Sequence, residues 1–353
     1  MLLAMTAFGQ AVFPALDTNF TTRTVLVSSN LRVTPLFEGN RDFVWNGTEY
    51  AIAKQNHDFT GLVPLGTGND SCLLIVNHEV TNTKNPKLGD GGGMTVFRVN
   101  RVNGVWQVVN YKGQKFWNVD FKAVGGTNIN CGGATLTNGN FLTGEEFPQQ
   151  SNVGLFANGN GVSDTSDFTI PNGPYQGKVL KRWQNYGWMV EVDAVNAKAV
   201  QKNYAMGRFS HEGGWGMPDK KTVYLTDDFV PGSCLFKFVA DKENDFSQGS
   251  LFAYKHSADG NSGEWLAIER NIDSLLNARE VAWRKGATIF NRLEWVVDHK
   301  GKLYLTETGI DQVSLRPGKS FGGTVPKHLE RLDTLYGNTK MIRFLTIMVV
   351  FFA

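Results

Sequence analysis

Short apolar runs recur along the chain, and each leads directly into one or two carboxylates. The four runs are Cys72–Glu79, Asn140–Glu146, Thr222–Asp228 and Lys302–Glu307. Apolar runs of this length, bounded by turn residues, are typical of β-strands. Reuse of one strand unit at a long period indicates the blades of a β-propeller, with insertions that lengthen each blade.

Each of the last three runs follows another strand-like segment across a tight turn. The preceding segments and their turns are Cys131–Thr135 with Asn138-Gly139, His211–Trp215 with Pro218-Asp219, and Arg292–Val297 with Lys300-Gly301. Such turn pairs are strong hairpin signals. The start of the first strand and the end of the second strand lie at the same edge of an antiparallel hairpin. We therefore expect three groupings on one face of the propeller: Cys131 with Glu145 and Glu146, Glu212 with Asp227 and Asp228, and Glu294 with Glu307.

This predicted convergence of carboxylates and one thiol has two interpretations. Like charges in a small volume cannot all stay ionised without compensation, and multivalent cations provide it. The alternative is that the carboxylates cap turns and keep strand ends hydrated, since Asp and Glu are mostly exposed in proteins. Cys131, between other small residues, is on its own typical of a small buried hydrophobe.

Composition narrows the class of protein. Lys and Arg total 35 against 33 Asp and Glu, and the formal net charge of +2 argues against a nucleic-acid partner. The 41% of hydrophobic residues excludes wholesale disorder. The 39 glycines and 24 phenylalanines favour short strands and many turns, so we predict an all-β fold. Three cysteines cannot all pair within one chain, which excludes a disulfide scaffold.

The two ends differ from the middle of the chain. Residues 1–20 are expected to be the remnant of a signal peptide or an N-terminal strand. Residues 21–338 are predicted to form a single propeller domain. Residues 339–353 form an atypical hydrophobic tail, and the ten residues after Arg343 are about half of a membrane span, so no stable span is expected.

Several segments occur in the order seen in PhoX-type alkaline phosphatases. They are Asn77-His78-Glu79, Cys131-Gly132-Gly133, Gly144-Glu145-Glu146, Tyr186–Asp193, Gly207–Glu212, Val223–Asp228, Leu235–Val239 and Asn291–Val296. The chain resembles this family from about residue 70 to about residue 310. The resemblance implies a propeller of about six blades, the last of them incomplete here, and a secreted or periplasmic phosphomonoesterase.

The resemblance also implies a site of ferric iron (Fe³⁺) and calcium (Ca²⁺) at the channel mouth. In it, Cys131, Glu146 and Glu212 would bind iron, Glu294 would bind calcium, and Arg292 would be the catalytic residue that binds the substrate phosphate. Glu79 is a further metal candidate. The residues Glu145, Asp228 and Glu307 are expected to support these ligands or to bind calcium. Thiolate with carboxylate donors suits iron, whereas calcium takes oxygen donors alone.

Two other functions stay open at this point. One is a calcium-dependent propeller lactonase or phosphotriesterase, which would use channel carboxylates but needs no thiolate. The other is a secreted, non-catalytic propeller that calcium stabilises and that binds a glycan or a protein. For the phosphatase, the expected partner is a small phosphate ester, and the chain is expected to be a monomer.

Overall fold

A computed structural model describes residues 27, 33–152, 161–230, 232–257, 262–308 and 329–331. The chain divides into two compact units, Met1–Glu38 and Gly39–Ala353. In the first unit, the described residues are 27 and 33–38, and they form neither helix nor strand. The predicted signal remnant and hydrophobic tail lie outside the described residues.

The second unit begins with a large sheet, here called the first blade. Its strands are β1 (Phe43–Trp45), β2 (Tyr50–Ile52), β3 (His57–Pro64), β4 (Ser71–His78), β5 (Gly93–Val102), β6 (Val105–Val109) and β7 (Phe116–Asn118). The strand order is β2-β1-β7-β5-β4-β3, and β6 also pairs with β5.

The second blade has four strands, β8 (Asn130–Thr135), β9 (Phe141–Glu145), β12 (Met189–Asp193) and β13 (Lys198–Lys202). Their order in the sheet is β13-β12-β9-β8. Between β9 and β12 the chain forms a small two-stranded sheet of β10 (Phe168–Thr169) and β11 (Val179–Leu180). Short 3₁₀ helices cover Lys122–Val124, Arg182–Asn185 and Tyr204–Met206.

The third and fourth blades follow in sequence. The third is β14 (His211–Gly216), β15 (Thr222–Asp227), β16 (Leu235–Lys242), β17 (Asp245–His256) and β18 (Gly263–Ala267), paired in chain order. Two helices follow it, α1 (Ile272–Leu276) and α2 (Ala278–Arg284). The fourth blade is β19 (Leu293–His299), β20 (Lys302–Glu307) and β21 (Leu329–Arg331).

Each blade has the first strand of a hairpin as its innermost strand, and these strands are β3, β8, β14 and β19. β3 packs against β8, β8 against β14, and β14 against β19. Adjacent blades pack against each other, and apolar side chains from both form the hydrophobic cores between them. In β9, for example, Phe141 belongs to the core shared with the first blade and Leu142 to the core shared with the third. The all-β propeller class predicted from the sequence is confirmed.

Blade number and domain bounds stay predictions. The described residues contain the four blades above, and residues 309–328 and 332–353 lie outside them. Among the described residues, no helix has the length and apolar character needed to cross a membrane.

Candidate metal centre

The hairpins of the four blades end in the same way. The last residue pairs at the open ends are His57 with His78, Asn130 with Glu145, His211 with Asp227, and Leu293 with Glu307. We call these open ends the hairpin mouths. The residue that follows each second strand then donates its backbone N–H back across the mouth, from Glu79, Glu146, Asp228 and Thr308 to the carbonyls of Asn56, Ile129, Ser210 and Arg292 at 2.8–3.0 Å.

A β-bulge interrupts the first strand at the same place in all four hairpins. The pairing register shifts between His57 and Thr60, between Asn130 and Gly133, between His211 and Gly214, and between Leu293 and Val296. In each case three steps along the first strand match two steps along its partner. A bulge of this kind changes the direction of a side chain and is common beside active sites.

Each mouth therefore presents two side chains, one from the bulge and one from the residue after the second strand. The four pairs are Asp58 with Glu79, Cys131 with Glu146, Glu212 with Asp228, and Glu294 with Thr308. Because the innermost strands pack together, the four mouths lie side by side.

Six of these eight side chains form three overlapping triads. The triads are Asp58, Cys131 and Glu212; Glu79, Cys131 and Glu146; and Glu146, Glu212 and Asp228, and within each triad the donor atoms lie within 4.8 Å of one another. The Cys131 thiol donates to Glu212, with Sγ 3.1 Å from Oε2 and 3.2 Å from Oε1. Any two triads share one residue, so the three form one continuous cluster.

Glu294 extends the cluster on the side of the fourth blade. After burial, the negative charge of Glu294 is one of the causes that raise the pKa of Glu212, and the Thr308 hydroxyl donates to Oε1 of Glu294. Its oxygen lies 3.6 Å from Arg292. Glu294 thus belongs to the cluster, although it is outside the three triads.

Burial and mutual repulsion oppose deprotonation of the acidic groups in the cluster, and the pKa values show this effect. Burial, followed by repulsion from Glu79 and Asp228, raises the pKa of Glu146 to about 10. Burial also raises the pKa values of Glu212 and Cys131 well above their usual ranges. The same cause raises the pKa values of three other members, Asp58, Glu79 and Glu294.

Arg292 brings one positive charge to this acidic cluster. Its Nε and Nη2 donate to the two carboxylate oxygens of Asp228, at 3.0 and 2.7 Å. Its backbone φ is 59°, a left-handed conformation that is uncommon for a residue other than glycine. Its side chain is about one third exposed, whereas the Asp228 side chain is buried.

Two of the expected supporting residues lie elsewhere. Glu145 is fully buried and forms an internal ion pair with the Lys202 ammonium, whose Nζ lies 2.8 and 3.1 Å from its oxygens. The backbone N–H groups of Gly187 and Trp188 also donate to it. Because consecutive side chains in a strand face opposite sides, Glu146 joins the cluster and Glu145 does not. Glu145 therefore lies outside the cluster, which argues against direct binding of calcium, and its expected role in supporting the ligands stays a prediction.

Glu307 was expected beside Glu294, but it lies one residue before the position whose side chain faces the cluster. It pairs in register with Leu293 and its Oε1 accepts a hydrogen bond from the Asn291 backbone N–H at 2.8 Å. The inward position in the fourth hairpin, which Glu79, Glu146 and Asp228 occupy in the others, belongs to Thr308. Asp228, which we expected in a supporting role, is a full member of the third triad.

Sequence reasoning missed Asp58. The residue lies in the bulge of β3, the strand before the Cys72–Glu79 run, and occupies the position of Cys131 in the second hairpin. Applying the hairpin rule to the first run as well as the later three would have found it. The Gly66-Thr67-Gly68 segment supplies the turn between β3 and β4.

The donor set fits multivalent cations. Six carboxyl groups and a thiol are held together with Arg292. Burial, followed by repulsion from neighbouring carboxylates, raises the pKa values of Glu146, Glu212 and Cys131, and bound cations would relieve that repulsion. Ions bound here could neutralise an anionic ligand and lower the pKa of a bound water. Arg292 could hold a planar oxyanion through its two-pronged donor group.

Comparison with known proteins identifies the family of the chain. The family model "Alkaline phosphatase PhoX" matches residues 32–325. A solved structure of PhoX from Pseudomonas fluorescens, in complex with vanadate as a transition-state analogue, is similar in fold with a TM-score of 0.51 and 22% sequence identity. The match covers 69% of this chain and 56% of that chain, so the present chain spans little more than half of the solved protein. No curated protein matches the chain. Since the family model covers most of the sequence, the chain belongs to the PhoX alkaline phosphatase family.

Proposed function

We propose that this protein is a metal-dependent phosphomonoesterase and that the hairpin-mouth cluster is its active site. The observation that carries the proposal is the meeting of six carboxyl groups and one thiol beside the partly exposed side chain of Arg292. Membership of the PhoX family supports the reaction class. The substrate would be a small phosphate ester, and the proposal places the enzyme outside the cytoplasm, in the periplasm or secreted.

The cluster residues would divide between two kinds of ion. Cys131, with Glu79, Glu146 and Glu212, would hold ferric iron because thiolate and carboxylate donors together suit that ion. Asp58 shares a triad with Cys131 and joins this set. Glu294 and Asp228 offer oxygen donors alone and would hold calcium. When bound, the ions would neutralise phosphate charge and acidify a bound water.

Arg292 would bind and orient the phosphate group. Its guanidinium already pairs bidentately with one carboxylate, which is the geometry that also suits two phosphate oxygens. Phosphoryl transfer requires mainly positioning and charge stabilisation, so no covalent nucleophile from the protein is needed.

The test combines metal analysis with an assay on p-nitrophenyl phosphate. We expect iron and calcium in the purified protein, hydrolysis that a chelator abolishes, and loss of both iron and activity in Glu212→Gln. Glu264→Gln is the matched control, because Glu264 is exposed and pairs with Lys255 on the surface. Retention of stoichiometric iron by Glu212→Gln would remove that residue from the iron site.

Two outcomes would favour the other functions. Calcium without iron, together with a fully active Cys131→Ser variant, would indicate a calcium-dependent lactonase or phosphotriesterase. Calcium without any hydrolysis would indicate a binding propeller. The expectation of a monomer stays a prediction that sedimentation would test.

A further inference from the structure

The proposed ligands lie in β-bulges, where some backbone N–H and C=O groups have no hydrogen-bond partner in the neighbouring strand. A bulge leaves one residue of the longer strand without a partner. Buried backbone carbonyls need a hydrogen-bond donor from elsewhere, because an unsatisfied polar group costs free energy. In two of the four mouths the donor comes from a side chain of the preceding blade.

Asn77 supplies the donors for the second mouth. It lies in β4 of the first blade and is fully buried. Its Nδ2 donates to the carbonyl of Cys131 at 2.6 Å and to the carbonyl of Gly132 at 3.0 Å. One amide group of the first blade thus holds both residues of the bulge that presents the thiol.

Thr226 has the equivalent role for the fourth mouth. It lies in β15 of the third blade and is fully buried. Its Oγ1 accepts a hydrogen bond from the Gly213 backbone N–H, in the bulge of its own hairpin, at 2.8 Å. The same hydroxyl donates to the carbonyl of Glu294 in the next blade.

Asn77 and Thr226 occupy the same position in their hairpins, two residues before the inward carboxylates Glu79 and Asp228. The second hairpin has Gly144 here, and it packs so closely on the third blade that an added Cβ would lie 2.8 Å from the His211 carbonyl oxygen. This position is therefore where each of the first three blades contacts the mouth of the next.

We propose that Asn77 and Thr226 are positioning residues, which fix the backbones of Cys131 and Glu294 by hydrogen-bonding to bulge carbonyls across the blade boundary. The inference rests on the proposed function, since it concerns the ligands of that site. Repulsion among the carboxylates favours separation of the mouths, so bonds between blades are needed to hold the donors at binding distance. Loss of a partner that orients a ligand typically reduces metal affinity 10–100-fold, as an order of magnitude.

The first test compares Thr226→Val with Thr226→Ser. Valine keeps the shape and removes the hydroxyl, whereas serine keeps the donor and acceptor. After chelation, Ca²⁺ is added back and its affinity measured by calorimetry, with kcat and KM on p-nitrophenyl phosphate. We expect Thr226→Val to bind Ca²⁺ about tenfold or more weakly and to lose kcat, and Thr226→Ser to stay near wild type. A folded Thr226→Val with wild-type Ca²⁺ affinity, whether or not its melting temperature falls, would overturn the proposal for Thr226.

The second test measures the reactivity of the thiols in Asn77→Ala. The protein as purified is treated with iodoacetamide, and labelling of each cysteine is followed by peptide mass spectrometry. Cys72 and Cys234 are buried as deeply as Cys131 and serve as internal controls. We expect Cys131 to be labelled about tenfold faster in the variant, with the two controls unchanged. Equal acceleration of all three would mean general loosening and would contradict a positioning role.

The two proposals can fail separately. A wild-type protein that binds no metal and hydrolyses no phosphate ester overturns the proposed function, while selective labelling of Cys131 in Asn77→Ala would still show that Asn77 fixes the bulge. Wild-type metal binding combined with unchanged variants overturns the positioning role alone.

Discussion

Arg292 has both a left-handed backbone and two carboxylate neighbours, Asp228 and Glu294. Such a backbone at a bulky residue costs of order 1–3 kcal/mol and persists where surrounding structure enforces it, often at functional sites. The hydrogen bond from the Thr308 backbone N–H to the Arg292 carbonyl is part of that enforcement.

Replacement of this arginine should mainly weaken phosphate binding. A hydrogen bond to a charged group contributes about 1.5–3 kcal/mol, so Arg292→Ala should raise KM for p-nitrophenyl phosphate by about 10–100-fold. Arg270→Ala is the control, because Arg270 makes an exposed pair with Asp241. Unchanged KM and kcat in Arg292→Ala would exclude the residue from the phosphate site.

Lys54 gives a prediction for the pH dependence of stability. Its buried ammonium donates to the backbone carbonyls of Gly89, Gly91 and Gly92. Burial lowers its pKa from 10.5 to about 7. Between these values the unfolded chain holds a proton that the folded protein has lost, so the free energy of unfolding should rise with pH from about 7 to 10.5.

The slope from this one group is at most about 1.4 kcal/mol per pH unit. Urea unfolding at a series of pH values should show that component in the wild type and lack it in Lys54→Met, with Lys255→Met as an exposed control. The same slope in wild type and Lys54→Met would mean that the folded protein keeps Lys54 protonated throughout.

At the residue scale, the sequence predicted that carboxylates and a thiol lie at the hairpin mouths, but it did not predict every residue whose side chain faces the cluster. Glu146, Glu212 and Cys131 follow from hairpin geometry, because turn residues fixed which strand ends meet. Glu307 does not, since a shift of one residue reverses the side on which a strand side chain lies. The pairing register and the bulge of the fourth hairpin place Thr308 at the inward position, and both depend on contacts between residues distant in sequence.

At the scale of elements, glycines allow neighbouring mouths to approach each other. A Cβ at Gly132 would lie 1.0 Å from the carbonyl oxygen of Glu212, so the backbones of the second and third mouths are in direct contact. Gly213 is similar, because its Cβ would lie 2.7 Å from the carbonyl oxygen of Glu294. These contacts set the size of the cluster.

Gly132→Ala should therefore be much more harmful than most glycine substitutions. We expect a loss of about 3 kcal/mol or more in the free energy of unfolding, together with loss of bound metal, because two backbones must separate. Gly68→Ala is the matched control, since a Cβ there meets nothing within 4 Å. Wild-type stability of Gly132→Ala in urea would show that the two mouths are farther apart than described.

The buried Glu145–Lys202 pair anchors the strand end that carries Glu146. Both side chains are fully buried, so Lys202→Met leaves a carboxylate without its counterion and should cost about 3–5 kcal/mol in urea unfolding. The double variant Glu145→Gln with Lys202→Met should recover part of that loss. A double variant no more stable than Lys202→Met would mean that the pair does not act as a unit.

At the scale of the whole molecule, the cluster should couple metal binding to folding. Ions that bind only the folded state stabilise it by about 2.7 kcal/mol when their concentration is 100 times Kd. Chelation should therefore lower the melting temperature, and re-addition of Ca²⁺ should restore it, as measured by differential scanning calorimetry. A melting temperature that does not respond to the chelator would contradict a structural contribution of the ions.

The propeller class could be predicted because acidic strand ends recur at long intervals and each has a hairpin partner. The outer strands of the blades could not be predicted in the same way. The first blade contains a parallel contact of β1 with β7, and β6 also pairs with β5, and both depend on how distant segments meet rather than on local pattern. The direct contacts between mouths, such as Asn77 with Cys131, also join residues far apart in sequence.

The same bulge occurs in all four hairpins, although the side chains that it directs inward differ in their donor atoms. Since four mouths share one backbone geometry, carboxylate, thiol and hydroxyl side chains all occur at equivalent positions without rearrangement of the ladder. Exchange of one side chain, such as Thr308→Asp, would alter the charge of the cavity by one unit and leave its scaffold intact. Within such an architecture, ion preference can diverge between homologues through single substitutions, one hairpin at a time.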